Sequence, residues 1–444
     1  MNFLTGGQMK RICLGLLGCG TVGKGVVNLL EENASLLESK LGCSLFLKKI
    51  ADLNLNEIKD ILPKGTEFTD NPFEVTDDKE IDIVIELIGG TDIAQELIIR
   101  SINNKKNVIT ANKNLLAVNG SRIFEEASKN GVEIGFEAST GGAMPVIKTM
   151  RESLCGNKIL ETAGILNGTC NYILSKITNE NISFETALYQ AQKNGFAEKD
   201  PSLDINGDDT AHKLSIISSI AYGTKINFSD IYIEGITGIS AEDIENARDF
   251  GYRIKLMAIS KNHGDSFEAR VHPTMIPYNH LLAKIDGALN AISIHGDASG
   301  EIILSGAGAG MMPTASAVVS DICDLARNIS SGISSRIPSL SFMPEKLKEI
   351  PIVKISEITC KYYMRLTAKD SPGVLSKVSG ILGDFGISIK SVHQKGRDEN
   401  TIGVPIVMIT HKAKESDIQK AVKGVGNLDD ILEKPVIIRI EDEF

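Results

Sequence analysis

No CxxC pair occurs among the seven cysteines (13, 19, 43, 155, 170, 323 and 360), and their number is odd. That excludes a disulfide framework and points to the reduced thiols of a cytosolic protein. The seven histidines form no HxxxH or HExxH pattern, which argues against a zinc site. Basic residues are in deficit, 47 Lys+Arg against 57 Asp+Glu, for a formal net charge of −10. Nucleic acid is therefore not an expected partner, because phosphate binding needs a concentrated basic face. An anionic ligand must instead be held locally, by helix N-termini or single lysines. No apolar stretch reaches the ~18 residues of a membrane span. No charged segment followed by an apolar run opens the chain, so neither a membrane partner nor a secretory signal is expected. Fixed-period repeats and low-complexity segments are also missing.

What remains is ordinary globular material, 42% hydrophobic and 23% charged over 444 residues. At roughly 100–200 residues per domain, two to four domains are expected. Met1–Gln8 reads as a short, poorly ordered lead-in. Residues 10–17 form an apolar run that ends in glycines and passes into a helix-period pattern (Val22, Val26, Val27, Leu30), which reads as strand, turn, helix. Further apolar runs at 45–51, 81–88, 108–110 and 132–136 alternate with helical patterns, notably 91–103 and 120–130. Alternation of this kind predicts a parallel sheet covered on both faces. This first unit spans 10–137.

Residues 138–340 behave differently. Helical segments (145–155, 184–194, 208–221) precede strand-like ones (253–260, 267–273, 291–296, 301–304), the order of an α+β unit, with a helical return at 313–328. The Ser-, Gly- and Pro-rich stretch 330–341 reads as a linker. Residues 355–444 read as an independent β-α-β-β-α-β unit, the ferredoxin-like order. Its first helix follows the turn Asp370-Ser371-Pro372-Gly373 and carries Val374, Leu375, Val378, Ile381, Leu382 and Phe385 at helix spacing.

Gly18-Cys19-Gly20-Thr21-Val22-Gly23 fits G-x-G-x-x-G between a strand and a helix. Gly18 allows the tight turn, Gly20 lets backbone amides approach a pyrophosphate, and Gly23 lets helix and strand pack closely. The bare motif also describes a glycine-rich turn with no ligand. The second strand ends at Asp52, which can hydrogen-bond an adenine ribose and disfavour a 2′-phosphate. Its spacing from Gly23 leaves room for an insertion around 31–42. Lys48 and Lys49 keep NADP open beside NAD, and Asp52 can equally cap a loop.

Two segments offer groups able to protonate a forming alkoxide and to orient a substrate. Thr110-Ala111-Asn112-Lys113 stands at the C-terminal edge of an apolar strand, where ligands of open α/β sheets bind; a solvated loop lysine fits the same position. Residues 195–213 hold five carboxylates within twelve residues, Glu198, Asp200, Asp204, Asp208 and Asp209. On the helix that follows, Asp209 and Lys213 are four apart and share a face, which describes either a site or an exposed ion pair.

The run from Ala191 through Gly195, Asp200-Pro201, Asp204, Gly207, Asp209 and Lys213 resembles the signature segment of homoserine dehydrogenases. Other pieces agree in order: the fingerprint at 18–23, Thr110 to Lys113, Phe136-Glu-Ala-Ser-Thr-Gly-Gly142, Leu166-Asn-Gly-Thr-Cys-Asn171, Ser305-Gly-Ala-Gly-Ala-Gly310 and Pro313-Thr-Ala-Ser. Residues 355–444 resemble an ACT domain. The resemblance implies reversible reduction of L-aspartate 4-semialdehyde to L-homoserine with NADH or NADPH, on the route to threonine and methionine. It implies Lys213 as proton donor, Lys113 beside it near the nicotinamide, and Glu198 and Asp209 on the substrate's ammonium, with Asp204 in the same acidic loop. A second cation such as Lys113 would bring a lysine acid toward neutral pKa. The resemblance also implies a backbone loop around Gly310 at the nicotinamide, and a structural sodium ion near Glu137 with carbonyls around Thr140, Gly142 and Met144. By the same resemblance the chain is a homo-oligomer (dimer or tetramer), with L-threonine as a feedback effector at the 370–374 loop. The fused aspartate kinase of some relatives is not expected, since the nucleotide unit starts near residue 10. Rival readings are a sugar-type dehydrogenase, which lacks this acidic loop, and a semialdehyde dehydrogenase, which needs a reactive cysteine. A non-catalytic amino-acid sensor would need neither lysine.

Overall fold

The computed structural model describes residues 10–394 and 403–443; the expected lead-in at Met1–Gln8 lies outside the described residues. The chain forms two units, each assembled from three separate segments. Residues 1–160, 212–229 and 290–350 make the first; 161–211, 230–289 and 351–444 make the second.

The first unit is built on a six-stranded parallel sheet, β1 (Arg11–Leu17), β2 (Ser44–Ala51), β3 (Glu67–Thr69), β4 (Ile83–Glu86), β5 (Asn107–Thr110) and β6 (Ile134–Gly135), in the order β3-β2-β1-β4-β5-β6. The order reverses between β1 and β4, the switch point where doubly wound sheets bind dinucleotides. β1 is sealed on both faces, with Ile12, Leu14, Leu16 and Leu17 fully buried, which is why it reads as a continuous apolar run. The expected insertion is a helix, Ala34–Leu41, closed by Gly42 in the left-handed region (φ +67°). The helix after β5 starts at Lys113 and runs to Asn130, well before the apolar pattern at 120 begins.

Two expectations change here. The return helix, Met311–Ser331, does not close the middle of the chain. Its buried face (Ala315, Val318, Val319, Ile322, Leu325, Ala326) shares one core with Val26 and Val27 of the first unit. Gly25 permits the approach: a Cβ built there would stand 3.0 Å from both Met311 and Ala315. The stretch 330–341 is not a free linker either, because Ser335 N–H donates to Glu133 (3.0 Å) and Arg151 donates to Ile337 O (3.2 Å).

The second unit carries a mixed sheet in the order Ile159–Ile165, Tyr252–Asn262, Phe267–Pro277, Val436–Ile440, Thr359–Ala368, Val404–Thr410, Ile389–Gln394. Its last four strands, with the helices Val374–Asp384 and Glu415–Gly426, give the expected β-α-β-β-α-β order. Period-two burial builds their core: Cys360, Tyr362, Met364, Leu366 and Ala368 all face the two helices. The C-terminal segment is not independent, however. Val436–Ile440 pairs in parallel with Phe267–Pro277 through Thr274–Arg439 and Met275–Ile440. The other sheet face is anchored too: Arg365 donates to Asp243 at 2.7 Å and Tyr363 OH donates to it at 3.0 Å. Glu441 accepts from the buried Arg270 (2.6 Å) and from Lys261 (2.8 Å). The boundaries 10–137, 138–340 and 355–444 thus describe sequence segments, whereas packing crosses them. The α/β class, the parallel nucleotide sheet and the ferredoxin-like C-terminal order all stand.

Candidate active site

The dinucleotide turn occupies the switch point. Gly18 has φ +88°, and a Cβ there would stand 2.9 Å from the backbone of Leu87 and Ile88. A Cβ on Gly23 would lie 2.5 Å from Gly18 O, so helix and turn touch backbone to backbone. Nothing lies within 4 Å of a Cβ on Gly20, the residue that caps the helix Thr21–Glu32. That open space faces the end of the helix where free N–H groups and the dipole favour an anion. Asp52 closes the turn as well as ending β2: its Oδ2 accepts from Cys19 N–H (2.7 Å) and its Oδ1 from Asn54 N–H (2.9 Å). Burial, then the nearby Asp52 carboxylate, pushes the Cys19 thiol up to about 11. Cys19 is thus a neutral wall residue beside Thr21 and Val22, not a nucleophile. Burial likewise raises Cys13 and Cys323, and lifts Cys360 to about 12.

Lys113 is the first residue of its helix, one residue beyond the cap Asn112, whose Oδ1 accepts from Leu115 N–H (3.1 Å). Asn112 Nδ2 also donates to Gly90 O (2.6 Å). The loop is set by an acid that sequence reading passed over. Glu86, fully buried at the end of β4, accepts from Thr110 Oγ1 (2.7 Å), Ile88 N–H (2.9 Å) and Gly89 N–H (3.0 Å). Its one signal is an acid closing an Ile-Val-Ile run.

In the second unit a single amide organises the acidic loop. Asn167 Nδ2 donates to Asp204 Oδ1 (2.7 Å) and to Asp209 Oδ2 (2.9 Å), which draws two carboxylates to one point. Its Oδ1 accepts from Cys170 N–H (2.8 Å), capping the helix Gly168–Glu180. In the sequence Leu166–Asn171 stands only as one piece of the family resemblance, with no separate role for Asn167. Thr169 Oγ1 donates to Phe196 O (2.6 Å) and Gln192 Nε2 to Glu198 O (3.2 Å), which pins the rest of the loop. Gly207 turns at φ +96° into the helix Asp208–Tyr222. Asp209 is 7% exposed and Lys213, one turn along that helix, is 8% exposed, whereas Glu198 is exposed. An exposed ion pair is therefore not what the Asp209/Lys213 spacing encodes.

Glu137 accepts Ile147 N–H (2.8 Å) and Lys148 N–H (2.9 Å), while its own N–H donates to Asp321 (2.9 Å). Burial, then Asp321, lifts its carboxyl to about 7. Gly142 (φ +58°) and Met144 turn beside it, and the Thr140 hydroxyl is buried with no hydrogen-bond partner among the described residues. Carboxylate, carbonyl and hydroxyl oxygens are hard donors, the type that an alkali cation takes. At Gly310 (φ +119°) the glycine loop passes into the helix Met311–Ser331.

Three family models match the chain: "Homoserine dehydrogenase, NAD binding domain" over 18–137, "Homoserine dehydrogenase" over 145–323, and "ACT domain" over 362–427. A homoserine dehydrogenase of Neisseria gonorrhoeae is 43% identical over 434 residues, 98% of this chain and 99% of that protein. The chain belongs to the homoserine dehydrogenase family. Membership makes it an oxidoreductase with a nicotinamide-nucleotide domain and an ACT domain. The relative from Bacillus subtilis is 36% identical and covers 98% of this chain and 99% of its own length. Among solved structures, the homoserine dehydrogenase of Thiobacillus denitrificans superposes with a TM-score of 0.93 at 43% identity, over 98% of this chain and 99% of that one. A hyperthermophilic archaeal homoserine dehydrogenase in complex with NADPH gives 0.59 at 25% identity, over 70% of this chain and 96% of that one. No helix among the described residues is long and apolar enough to cross a membrane.

Proposed function

We propose that the chain catalyses the reversible reduction of L-aspartate 4-semialdehyde to L-homoserine in the cytoplasm. The observation that carries this reading is the Asn167 bridge, which holds the carboxylates of Asp204 and Asp209 at one point of the family's signature loop. A carboxylate fixed in this way, as Asp209 is, suits an α-ammonium, because charge-assisted bonds are the strong ones. In this reading Asp209 and Glu198 take the substrate's ammonium and Asp204 orders the loop. Lys213, shielded from bulk water, gives its proton to the alkoxide as the carbonyl is reduced, and takes it back in the reverse direction. Lys113 acts near the carbonyl and the nicotinamide. Bound reduced nicotinamide nucleotide supplies the hydride. Gly18, Cys19, Gly20, Thr21, Val22 and Gly23 form the pyrophosphate turn, Asp52 meets the adenine ribose and favours NAD over NADP, and Gly310 belongs to the loop beside the nicotinamide. Glu137, with Thr140, Gly142 and Met144, holds a sodium ion; a cation there offsets the burial that raises Glu137.

In the same reading the ACT segment makes the enzyme a dimer or tetramer and binds L-threonine near 370–374, inhibiting by favouring one quaternary arrangement. The deciding experiment is initial rates with homoserine and each of NAD and NADP, with and without millimolar threonine. Absence of homoserine-dependent nucleotide reduction with either cofactor ends the reading. Unchanged rates with threonine end only its regulatory part.

A further inference from the structure

The glycine segment 305–310, which ends the strand Gly300–Ala307 and turns into the helix Met311–Ser331, rests on a buried asparagine to which the reaction described above gives no task. Asn290, in the strand Leu289–Gly296, is fully buried (0% exposed). Neither its Nδ2 nor its Oδ1 has a hydrogen-bond partner among the described residues. A Cβ built on Gly308 would stand 2.0 Å from Asn290 Nδ2 and 2.1 Å from its Cγ, so the amide fills the space a side chain at 308 would take. The loop is pinned on its other side. Ala143 N–H donates to Ala307 O (3.0 Å), and the missing Cβ of Gly142 makes room for Ala307 O and Gly308 C, each 2.5 Å from where it would lie. Past Gly310 the chain enters the helix Met311–Ser331, whose first residue meets the dinucleotide helix at Gly25, 3.0 Å from a built Cβ. The loop therefore runs from the buried amide to the flank of the fingerprint helix.

Native proteins rarely leave both polar atoms of a fully buried amide unpaired, since each forfeits the hydrogen bonds it had in water. The backbone against Asn290 is that of Gly308, the first residue past the strand end, where Gly308 and Gly310 let the turn change conformation at little steric cost. We propose that Asn290 is a positioning residue: its amide pairs with the Gly308 peptide as the loop 305–310 settles on bound nicotinamide nucleotide, holding the loop in the arrangement that hydride transfer needs. This rests on the reading of the chain as a nicotinamide-dependent dehydrogenase. Asn290 acts through the loop and touches no reacting atom.

The test uses the full chain, NADH and NADPH as probes, and three readouts. They are nucleotide Kd by fluorescence titration, hydrogen exchange of a peptide covering 305–310 with and without nucleotide, and the thermal midpoint of the nucleotide-free protein. Wild type is expected to slow exchange in the loop when nucleotide binds. Asn290→Ala is expected to lose most of that protection and to raise Kd tenfold or more, with the nucleotide-free midpoint not lowered. Gly308→Ala, which presses a methyl into the amide from the loop side, is expected to weaken binding in the same direction and serves if the first variant does not fold. Asn290→Ala with wild-type affinity and loop protection overturns the proposal. So does a lowered midpoint with unchanged affinity, the mark of a plain core amide or of one satisfied by a fixed water. Wild-type protein that binds nucleotide and protects the loop but does not oxidise homoserine overturns the proposed reaction instead, while the binding and exchange readouts still decide the role of Asn290.

Discussion

Replacing Asn167 separates the structural from the chemical part of the site. Its side chain makes three hydrogen bonds: one caps the helix Gly168–Glu180, and two hold the carboxylates of Asp204 and Asp209. Loss of an N-cap costs about 1 kcal/mol. A hydrogen bond to a charged partner contributes about 1.5–3 kcal/mol, toward the upper end for the buried Asp209 and less for the half-buried Asp204. Asn167→Ala should therefore cost about 4–6 kcal/mol of stability, read by denaturant unfolding. Asn167→Asp keeps an acceptor at the cap but turns the bridging donor into a third carboxylate. It should retain the cap's share of stability while the two acids move apart. Steady-state kinetics in the homoserine-oxidising direction should then show KM for homoserine raised at least about tenfold, equivalent to about 1.4 kcal/mol, with KM for the nucleotide unchanged. If Asn167→Asp binds homoserine as wild type does, Asp209 as held by this bridge is not a partner of the ammonium and its assignment fails.

Lys213→Ala should lower kcat by about 100-fold or more while nucleotide Kd, measured by fluorescence, holds; a tenfold loss or less removes Lys213 as the acid. Gly23→Ala would put a methyl 2.5 Å from Gly18 O, so the turn must open, and nucleotide Kd should rise at least about tenfold, or about 1.4 kcal/mol. Asp243 is pushed up by burial but held below its ordinary value near 3.8 by Arg365 and Ser240. A depressed folded pKa means its stabilising share is complete above that value and is lost as pH falls through the lower folded one. Asp243→Asn should therefore lower stability at neutral pH and flatten the acid limb of unfolding, and parallel acid limbs for the two proteins would contradict this. Initial rates across a sodium titration, with potassium holding ionic strength, should rise to a plateau in wild type, and Glu137→Ala should abolish the sodium dependence.

Cutting the chain near residue 355 is a poor test of regulation. It would remove Glu441 from Arg270, which is buried to 3% exposure, and leave an uncompensated guanidinium inside the second unit. Substitutions confined to 370–374 avoid this, and threonine inhibition that survives them would move the effector site elsewhere.

Local rules were enough to read much of this molecule from its residues. Period-two and period-3.6 patterns located β1, β2, β5, the helix Asp92–Asn103 and the C-terminal β-α-β-β-α-β order, because each buries one face or two in a way the residue types record. The glycine turn was legible because its close backbone approaches need glycine at particular spacings, and the acidic loop because it matches the family's signature segment. Helix starts were less so: the Lys113 helix begins where Asn112 caps it, ahead of the apolar pattern. Three things belonged to tertiary structure alone. The helix Met311–Ser331 carries an ordinary amphipathic stripe, and only the bare flank of Gly25 says which core it joins. The strand Val436–Ile440 looks the same whether its second edge is free or paired; hydrogen bonding to Phe267–Pro277 makes the C-terminal segment part of a larger sheet. Asn167, Glu86 and Asn290 are single polar residues whose importance lies in partners tens of residues away in the chain or, for Asn290, in the lack of any among the described residues. A residue's own type records its propensity and its charge; which long-range donor or carbonyl it meets is a property of the packed chain.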